Sequence, residues 1–273
     1  MPAIQSLKKQ LRGILSTKKL TNAMKTVSTV KFSKLNATFN EYSQYGRRCE
    51  KVFASFGKEL LTAVAETNPS APEAVVIIAS NKGLCGNFNA ELLNFAIEQI
   101  KNIKNPYIFA CGKKAISFLK SKKINIQQEL VFGDIPDYEQ VSTLFEEIAE
   151  LRKSGKISKV FVIYSAYKNM MQQIPTCTDF FDVKKVEKEE SVLFVPDKPT
   201  ITSTISKTVF KAMFYEIVLE AAIGAQAATL MTMRSAFDTA TEYAENLEKE
   251  INRLRQSAVT ADVIETSAER ETK

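Results

Sequence analysis

Proline divides this chain before any other signal does. After Pro2 no proline occurs until Pro69, and after Pro199 none occurs to the end, while six lie from Pro69 to Pro196. A proline inside a helix costs about 3 kcal/mol. Two long proline-free stretches around a proline-bearing centre therefore predict two long helices flanking a mixed domain. The 273 residues suffice for one sizeable domain plus an extension.

Apolar spacing supports the same division. At the start Ile4, Leu7, Leu11 and Ile14 step by three and four, Leu20, Met24 and Val27 resume the pattern, and Leu35, Phe39, Tyr42, Cys49, Phe53, Phe56 and Leu60 carry it on. Near the end Val209, Met213, Ile217, Ala221, Gly224, Ala228 and Met231 form one stripe, continued by Tyr243, Leu247, Ile251, Leu254 and Ala258. Such steps are those of coiled coils. A helix over 207–258 would be roughly 75 Å long at ~1.5 Å per residue, too long for a compact domain to bury. The economical arrangement is an antiparallel pair made from the two chain ends. The small residues of "EAAIGAQAATL" let another backbone approach closely.

The centre alternates strand and helix patterns. Strands are expected at 74–80, 107–112, 124–132, 159–167, 175–183 and 191–195, and helices at 90–103, 113–122 and 137–153. That alternation predicts βαβ units and a largely parallel sheet, with the last strands forming a hairpin at one edge. "KKVEKEES" at 184–191 reads as a solvated turn.

Composition narrows the chemistry. There is no histidine, which removes the commonest general base and transition-metal ligand. Cys49, Cys85, Cys111 and Cys177 are scattered without a CxxC pair, so neither a zinc site nor a disulfide framework is indicated. No apolar run approaches the ~20 residues of a membrane helix, and the segment after Met1 lacks the apolar core of a signal peptide. Residues 1–58 carry a net charge of +10 and the remainder −4, so the N-terminal segment expects an acidic partner.

The stretch "SNKGLCGNFN" (80–89) lies between a strand and a helix, where α/β proteins cradle phosphates. It has only GxxG, neither GxGxxG nor GxxxxGK[ST]. The plainer reading is a tight turn in which Gly83 and Gly86 adopt positive φ while Asn87 or Asn89 caps the next helix. Cys85 has no histidine to activate it. Two other functions stay open on the residues alone. One is nucleic-acid binding through residues 1–58, although Phe32, Phe39, Tyr42, Phe53 and Phe56 track the apolar stripe and are not free to stack on bases. The other is a nucleotide-binding α/β enzyme built on residues 74–200.

Three motifs resemble those of the gamma subunit of F-type ATP synthases. "KKLTNAMKTVSTVKF" (18–32) is similar to the family's KITxKAMxMVAxxK, "SNKGLCGNFN" to SD(K/R)GLCGxxN, and "INRLRQSAVTADVIE" (251–265) to NxxRQAxITxExxEI. The likeness spans essentially the whole chain. It implies a non-catalytic rotor shaft without cofactor or metal, with a long helix at 1–60, a Rossmann-like α/β domain with a mostly parallel sheet at 72–200, and a long helix at 203–273 completing an antiparallel coiled coil. It implies partners: the alpha and beta subunits of the catalytic ring, the epsilon subunit and the c-subunit ring, with no nucleic acid. It also implies peripheral attachment, through the complex, on the cytoplasmic side of a bacterial plasma membrane, an origin that the start at Met1 without a leader favours. Met24, Lys82, Cys85, Asn252, Arg255, Gln256 and Thr260 fall on motif positions expected to contact other subunits. The chain departs from the family at Ala225 (usually glutamate), Thr229 (usually arginine), Thr239 (usually asparagine) and Asp262 (usually glutamate), so altered collar contacts are expected there.

Overall fold

The computed structural model describes residues 2–56, 68–103, 105–182 and 198–271. Leu60, the expected strand at 191–195 and the expected turn at 184–191 lie outside the described residues. The chain runs α1 (Pro2–Phe56), β1 (Ala74–Ile78), α2 (Phe88–Lys101), β2 (Tyr107–Cys111), α3 (Lys113–Ser121), β3 (Gln128–Leu130), α4 (Tyr138–Lys153), β4 (Val160–Asn169), β5 (Gln172–Asp179) and α5 (Lys198–Glu271). Pro2 and Pro199 both sit in the first turn of a long helix, where their missing N–H groups have no intrahelical acceptor to lose. The chain divides into two units: residues 30–229, and the two ends, 1–29 with 230–273.

The sheet of the first unit has the order β3-β2-β1-β4-β5. β1 pairs in parallel with β2 (Ala74↔Tyr107) and with β4 (Ala74↔Val160), β2 pairs in parallel with β3, and β4 and β5 form the expected antiparallel hairpin. Helices cover both faces. Val75, Ile77, Ile108, Ala110 and Ile163 pack with Leu92, Leu93 and Ala96 of α2 and with Ala115 and Leu119 of α3. On the other face Val76, Phe109 and Val162 meet Val141, Leu144, Phe145 and Ile148 of α4, together with Leu35 of α1 and Phe210, Phe214 and Val218 of α5. Burial on both faces is why "AVVII" is continuously apolar and not alternating. Pro175 is confined to the edge strand β5, where a missing donor interrupts no central ladder.

The strand expected at 124–132 shrinks to Gln128–Leu130. Just before it the side-chain oxygen of Gln127 accepts from the Ile108 amide at 2.6 Å. A side chain thus does part of the ladder's work there. β4 overhangs the sheet in the other direction: its pairing with β1 ends at Ile163, while the strand continues to Asn169. Beyond that end the Tyr167 amide donates to the Glu220 carboxylate at 2.9 Å, so α5 satisfies a backbone group that no strand reaches.

In the unit formed by the chain ends, the long helices pack along a seven-residue repeat. On α1 the seam runs through Ile4, Leu7, Leu11, Ile14, Lys18, Thr21, Lys25 and Ser28, stepping by three and four, with Leu15 and Met24 half-buried beside it. Of the expected resumption at Leu20, Met24 and Val27, Leu20 and Val27 lie one residue off the seam, while Met24 is half-buried beside it. Leu20 is 61% exposed and Val27 54% exposed, whereas Thr21 and Ser28 are buried. Thr21 tolerates this because its hydroxyl donates to the Thr17 carbonyl at 3.0 Å. On α5 the seam runs through Met233, Phe237, Ala240, Ala244, Leu247 and Ile251. Tyr243, expected in the stripe, is 49% exposed, and Ala244 takes the buried place.

Candidate functional site

The glycine loop turns its polar groups inward. Asn89 closes it: its Oδ1 accepts from the Ser80 amide and hydroxyl at 3.2 and 3.0 Å, and its Nδ2 donates to the Cys85 sulfur at 3.0 Å. Asn87 occupies the N-cap position of α2, but its side chain makes no capping bond, so neither asparagine caps as expected. Gly86 does adopt a positive φ of 57°, yet the second left-handed residue is Leu84 (φ 64°) and not Gly83. Asn81 fastens the loop to its neighbours. Its Nδ2 donates to the Phe132 carbonyl at 2.5 Å, and its Oδ1 accepts from the Lys113 amide at 3.2 Å.

One carboxylate ties this loop to the long N-terminal helix. Asp134 is paired with Lys82 of the loop at 2.8 Å and, more closely still, with Lys31 of α1. The two ammonium groups hold the Asp134 carboxyl below its ordinary range, hydrogen bonding to Lys31 being the larger cause, and the Asp134 hydrogen bond raises Lys82 in turn. Cys85 is buried, with Phe88 and with Ala228 and Ala225 of α5 around it. Its neighbourhood is apolar packing and an asparagine amide, with no base to make a nucleophile of it.

Doubly wound sheets take ligands where crossovers leave in opposite directions, which here is the end of β1 and β4. α5 fills that place. A Cβ on Gly224 would lie 3.4 Å from the Ser165 carbonyl and 3.4 Å from the Gln173 side chain, with Phe88 at 3.6 Å. The backbone that the small-residue stretch admits is thus the chain's own hairpin. Ala225, where the resembled family has glutamate, lies against the Cys85 cluster, and the Thr229 hydroxyl donates back to the Ala225 carbonyl at 2.9 Å. Among the described residues no group of three or more His, Cys, Asp or Glu could hold a metal ion.

The remaining motif residues are on the surface of the unit made by the chain ends. Met24 is half-buried on α1, while Asn252, Arg255, Gln256 and Thr260 are exposed along one stretch of α5, where the Thr260 hydroxyl donates to the Gln256 carbonyl at 2.9 Å. The structure brings these four together by helical spacing and leaves Lys82 and Cys85 in the other unit. Exposed apolar residues join them: Leu20 and Val27 on α1, and Val259, Val263 and Ile264 on α5. Strict continuation of the heptad from Ile14 would have singled out Leu20 and Val27, since it puts them off the seam.

The positive charge of the first segment is also partly turned inward. Lys25 places its ammonium 4.0 Å from the ring centroid of Phe237, Lys18 lies 5.6 Å from the same ring, and Lys31 is spent on Asp134. Phe32, Phe39 and Tyr42 are packed against the core of the sheet unit, with Tyr42 4.6 Å from Tyr215 edge-on. Stacking on nucleic-acid bases is closed to these three rings. Among the described residues no helix is long and apolar enough to cross a membrane.

Comparison with known proteins identifies the family. The ATP synthase family model matches residues 3–268. The chain is 25% identical over 272 residues to the ATP synthase gamma chain of Desulfitobacterium hafniense, with 97% of each chain covered. It is 28% identical over 280 residues to that of Fusobacterium nucleatum, again covering 97% of both. Its fold is similar to a chain of the Euglena gracilis mitochondrial ATP synthase OSCP/F1/c-ring structure, at a TM-score of 0.69, 15% identity and coverage of 97% of this chain and 92% of that one. It is also similar to a chain of the Tetrahymena thermophila mitochondrial ATP synthase central stalk/c-ring structure, at a TM-score of 0.61, 17% identity and coverage of 80% and 99%. A chain matched from end to end, with helices paired along a heptad and a ligand crevice filled by its own helix, belongs to the ATP synthase gamma chain family, the non-catalytic central-stalk rotor subunit of the F-type ATP synthase.

Proposed function

We propose that this chain couples rotation of a c-subunit ring, driven by proton or sodium flow, to conformational cycling of catalytic sites on surrounding beta subunits. The observation that supports it is the separation of roles along the chain. The sheet unit buries both faces of its sheet under helices, and the helix pair of the chain ends presents exposed apolar side chains, Leu20 and Val27 on α1 and Val259, Val263 and Ile264 on α5, beside the polar motif residues. In this reading residues 1–60 and 203–273 form the shaft inside the alpha–beta ring. Residues 72–200 form the foot that meets the c ring and the epsilon subunit, peripheral to a bacterial plasma membrane. Met24, Asn252, Arg255, Gln256 and Thr260 touch the ring. Lys82 touches it from the glycine loop, and Cys85 acts there by fixing the loop from within. Each beta site changes conformation because the shaft meets it with a different face, so coupling lies in differential contacts.

Reconstitution tests the reading. Added to an alpha–beta ring, the chain restores ATP hydrolysis and co-purifies with alpha, beta and epsilon subunits. A chain that stays monomeric beside an intact ring and leaves hydrolysis unchanged overturns it.

A further inference from the structure

Two costs fall on one residue of the glycine loop. Leu84 holds a φ of 64°, a left-handed conformation that crowds any residue with a Cβ, while its neighbour Gly83 has no positive φ. Leu84 is also 58% exposed, so the strained backbone carries an apolar side chain into water. Glycine or asparagine at this position would make the same turn without either cost. The rest of the loop is wired to keep the conformation. The Ser80 hydroxyl donates to the Lys82 carbonyl at 2.6 Å, Cys85 is buried with Phe88 and Ala228, and Asn89 bonds to both Ser80 and Cys85. Two cations stand beside it. Lys82 pairs with Asp134 at 2.8 Å, and a Cβ on Gly83 would lie 3.7 Å from the Lys114 ammonium.

We propose, on the rotor reading in which Lys82 meets the ring, that Leu84 is the anchor of the glycine loop: an apolar tooth seated in an apolar depression, rimmed by carboxylates, on the alpha–beta ring. Lys82 and Lys114 supply attraction to the acidic rim, and attraction between exposed charges steers a contact more than it holds one. The holding part is burial of the leucine side chain. A tooth fixed by its own loop loses little freedom when it seats, so the strain at Leu84 is offset in the assembled complex. The same turn that sends Leu84 outward sends Cys85 into the cluster with Phe88 and Ala228, which divides the motif into one presented and one retained side chain.

The full chain, titrated onto an alpha–beta ring until ATP hydrolysis is restored, tests this beside the melting midpoint of each chain alone. Leu84→Asn takes the left-handed conformation readily and melts no lower than the parent, yet the concentration that half-restores hydrolysis rises about tenfold. Leu84→Gly, a second relief of the strain, behaves as Leu84→Asn does. Leu84→Met keeps an apolar side chain and stays within about twofold of the parent. Half-restoration by Leu84→Asn at the parent's concentration overturns the proposal, and so does an equal loss in Leu84→Met. A lower melting midpoint in both Leu84→Asn and Leu84→Gly also overturns it, because the leucine then serves the loop's own fold. Restoration by the parent chain is the separate test of the rotor reading, so the two failures are told apart.

Discussion

The two units of this chain are threaded by the same pair of helices, which do opposite things in each. Between Val30 and Thr229, α1 presents Phe32, Leu35, Phe39 and Tyr42 and α5 presents Phe210, Phe214, Tyr215 and Val218, all set against a sheet buried on both faces. Phe180 is the centre of a ring cluster there, within 6.0 Å of Phe145, Phe181, Phe210 and Phe214. In the unit made by the ends the same helices meet through a mixed seam, in which Lys18, Thr21, Lys25, Ser28, Ala240 and Ala244 stand among aliphatic residues such as Leu11, Ile14, Leu247 and Ile251. The difference teaches that length of helix and strength of anchoring are separable. Aromatic burial fixes the helices where they cross the sheet, and a narrower, more polar seam suffices where they have only each other.

That contrast can be broken at its strong end first. Phe214→Ala removes a fully buried ring from the aromatic cluster and is expected to lower stability by about 3–5 kcal/mol, read as a loss of the cooperative thermal transition or a large fall in its midpoint. A fall no greater than that of a surface substitution would mean the helices are not anchored to the sheet unit by this cluster.

A smaller effect distinguishes the two carboxylates that join helix to sheet unit. Burial raises the Glu220 carboxyl above its ordinary value, although the Tyr167 amide, the Tyr164 hydroxyl and Lys168 pull it back. An acid with a raised folded-state value binds its proton more tightly when folded, so its charge disfavours the fold at high pH. That penalty is relieved as pH falls through the folded value towards the usual 4.5. Asp134 has the reverse sign. The stability from its two lysines is complete above its usual 3.8 and is lost as pH falls below that through the lowered folded value. Glu220→Gln is therefore expected to melt higher than the parent at pH 8, with the gap closing towards pH 5. Asp134→Asn is expected to melt lower than the parent at pH 7, with its gap closing only below pH 4. Melting curves taken across that range that run parallel for both variants would remove the contrast between them.

The smallest expected effect lies in the seam. Thr21→Leu fills a buried polar position with an apolar side chain and is expected to add on the order of 1 kcal/mol of local stability to the helix pair. Hydrogen exchange should slow at amides of residues 10–29 and stay unchanged in β1 and β2. Slowing in the strands as well would show that the two units open together.

Most of the architecture was legible because each element obeyed a local rule. "AVVII" reads as a doubly buried strand, and Asp137 ahead of α4 does accept from the Gln140 amide as an N-cap should. Legibility failed where a side chain did work that its type disguises. Lys18 and Lys25 look like surface residues, so the apolar pattern was picked up again at Leu20, Met24 and Val27. Gln127 replaces a backbone acceptor and shortens β3. Leu84 takes a left-handed conformation that composition assigns to glycine. The contact residues are a different case: exposed Arg255, Gln256 and Thr260 carry no local mark that separates them from any solvated helix face, and only the motif around them pointed to a partner.

The unbroken heptad has a mechanical corollary. A repeat of seven on helices of 3.6 residues per turn makes the pair wind about each other in a left-handed sense. Such a pair is a two-stranded rope. Twisting it with its lay draws the strands together, and twisting it against its lay tends to pry them apart. A drive shaft built this way is stiffer in one direction of rotation than in the other.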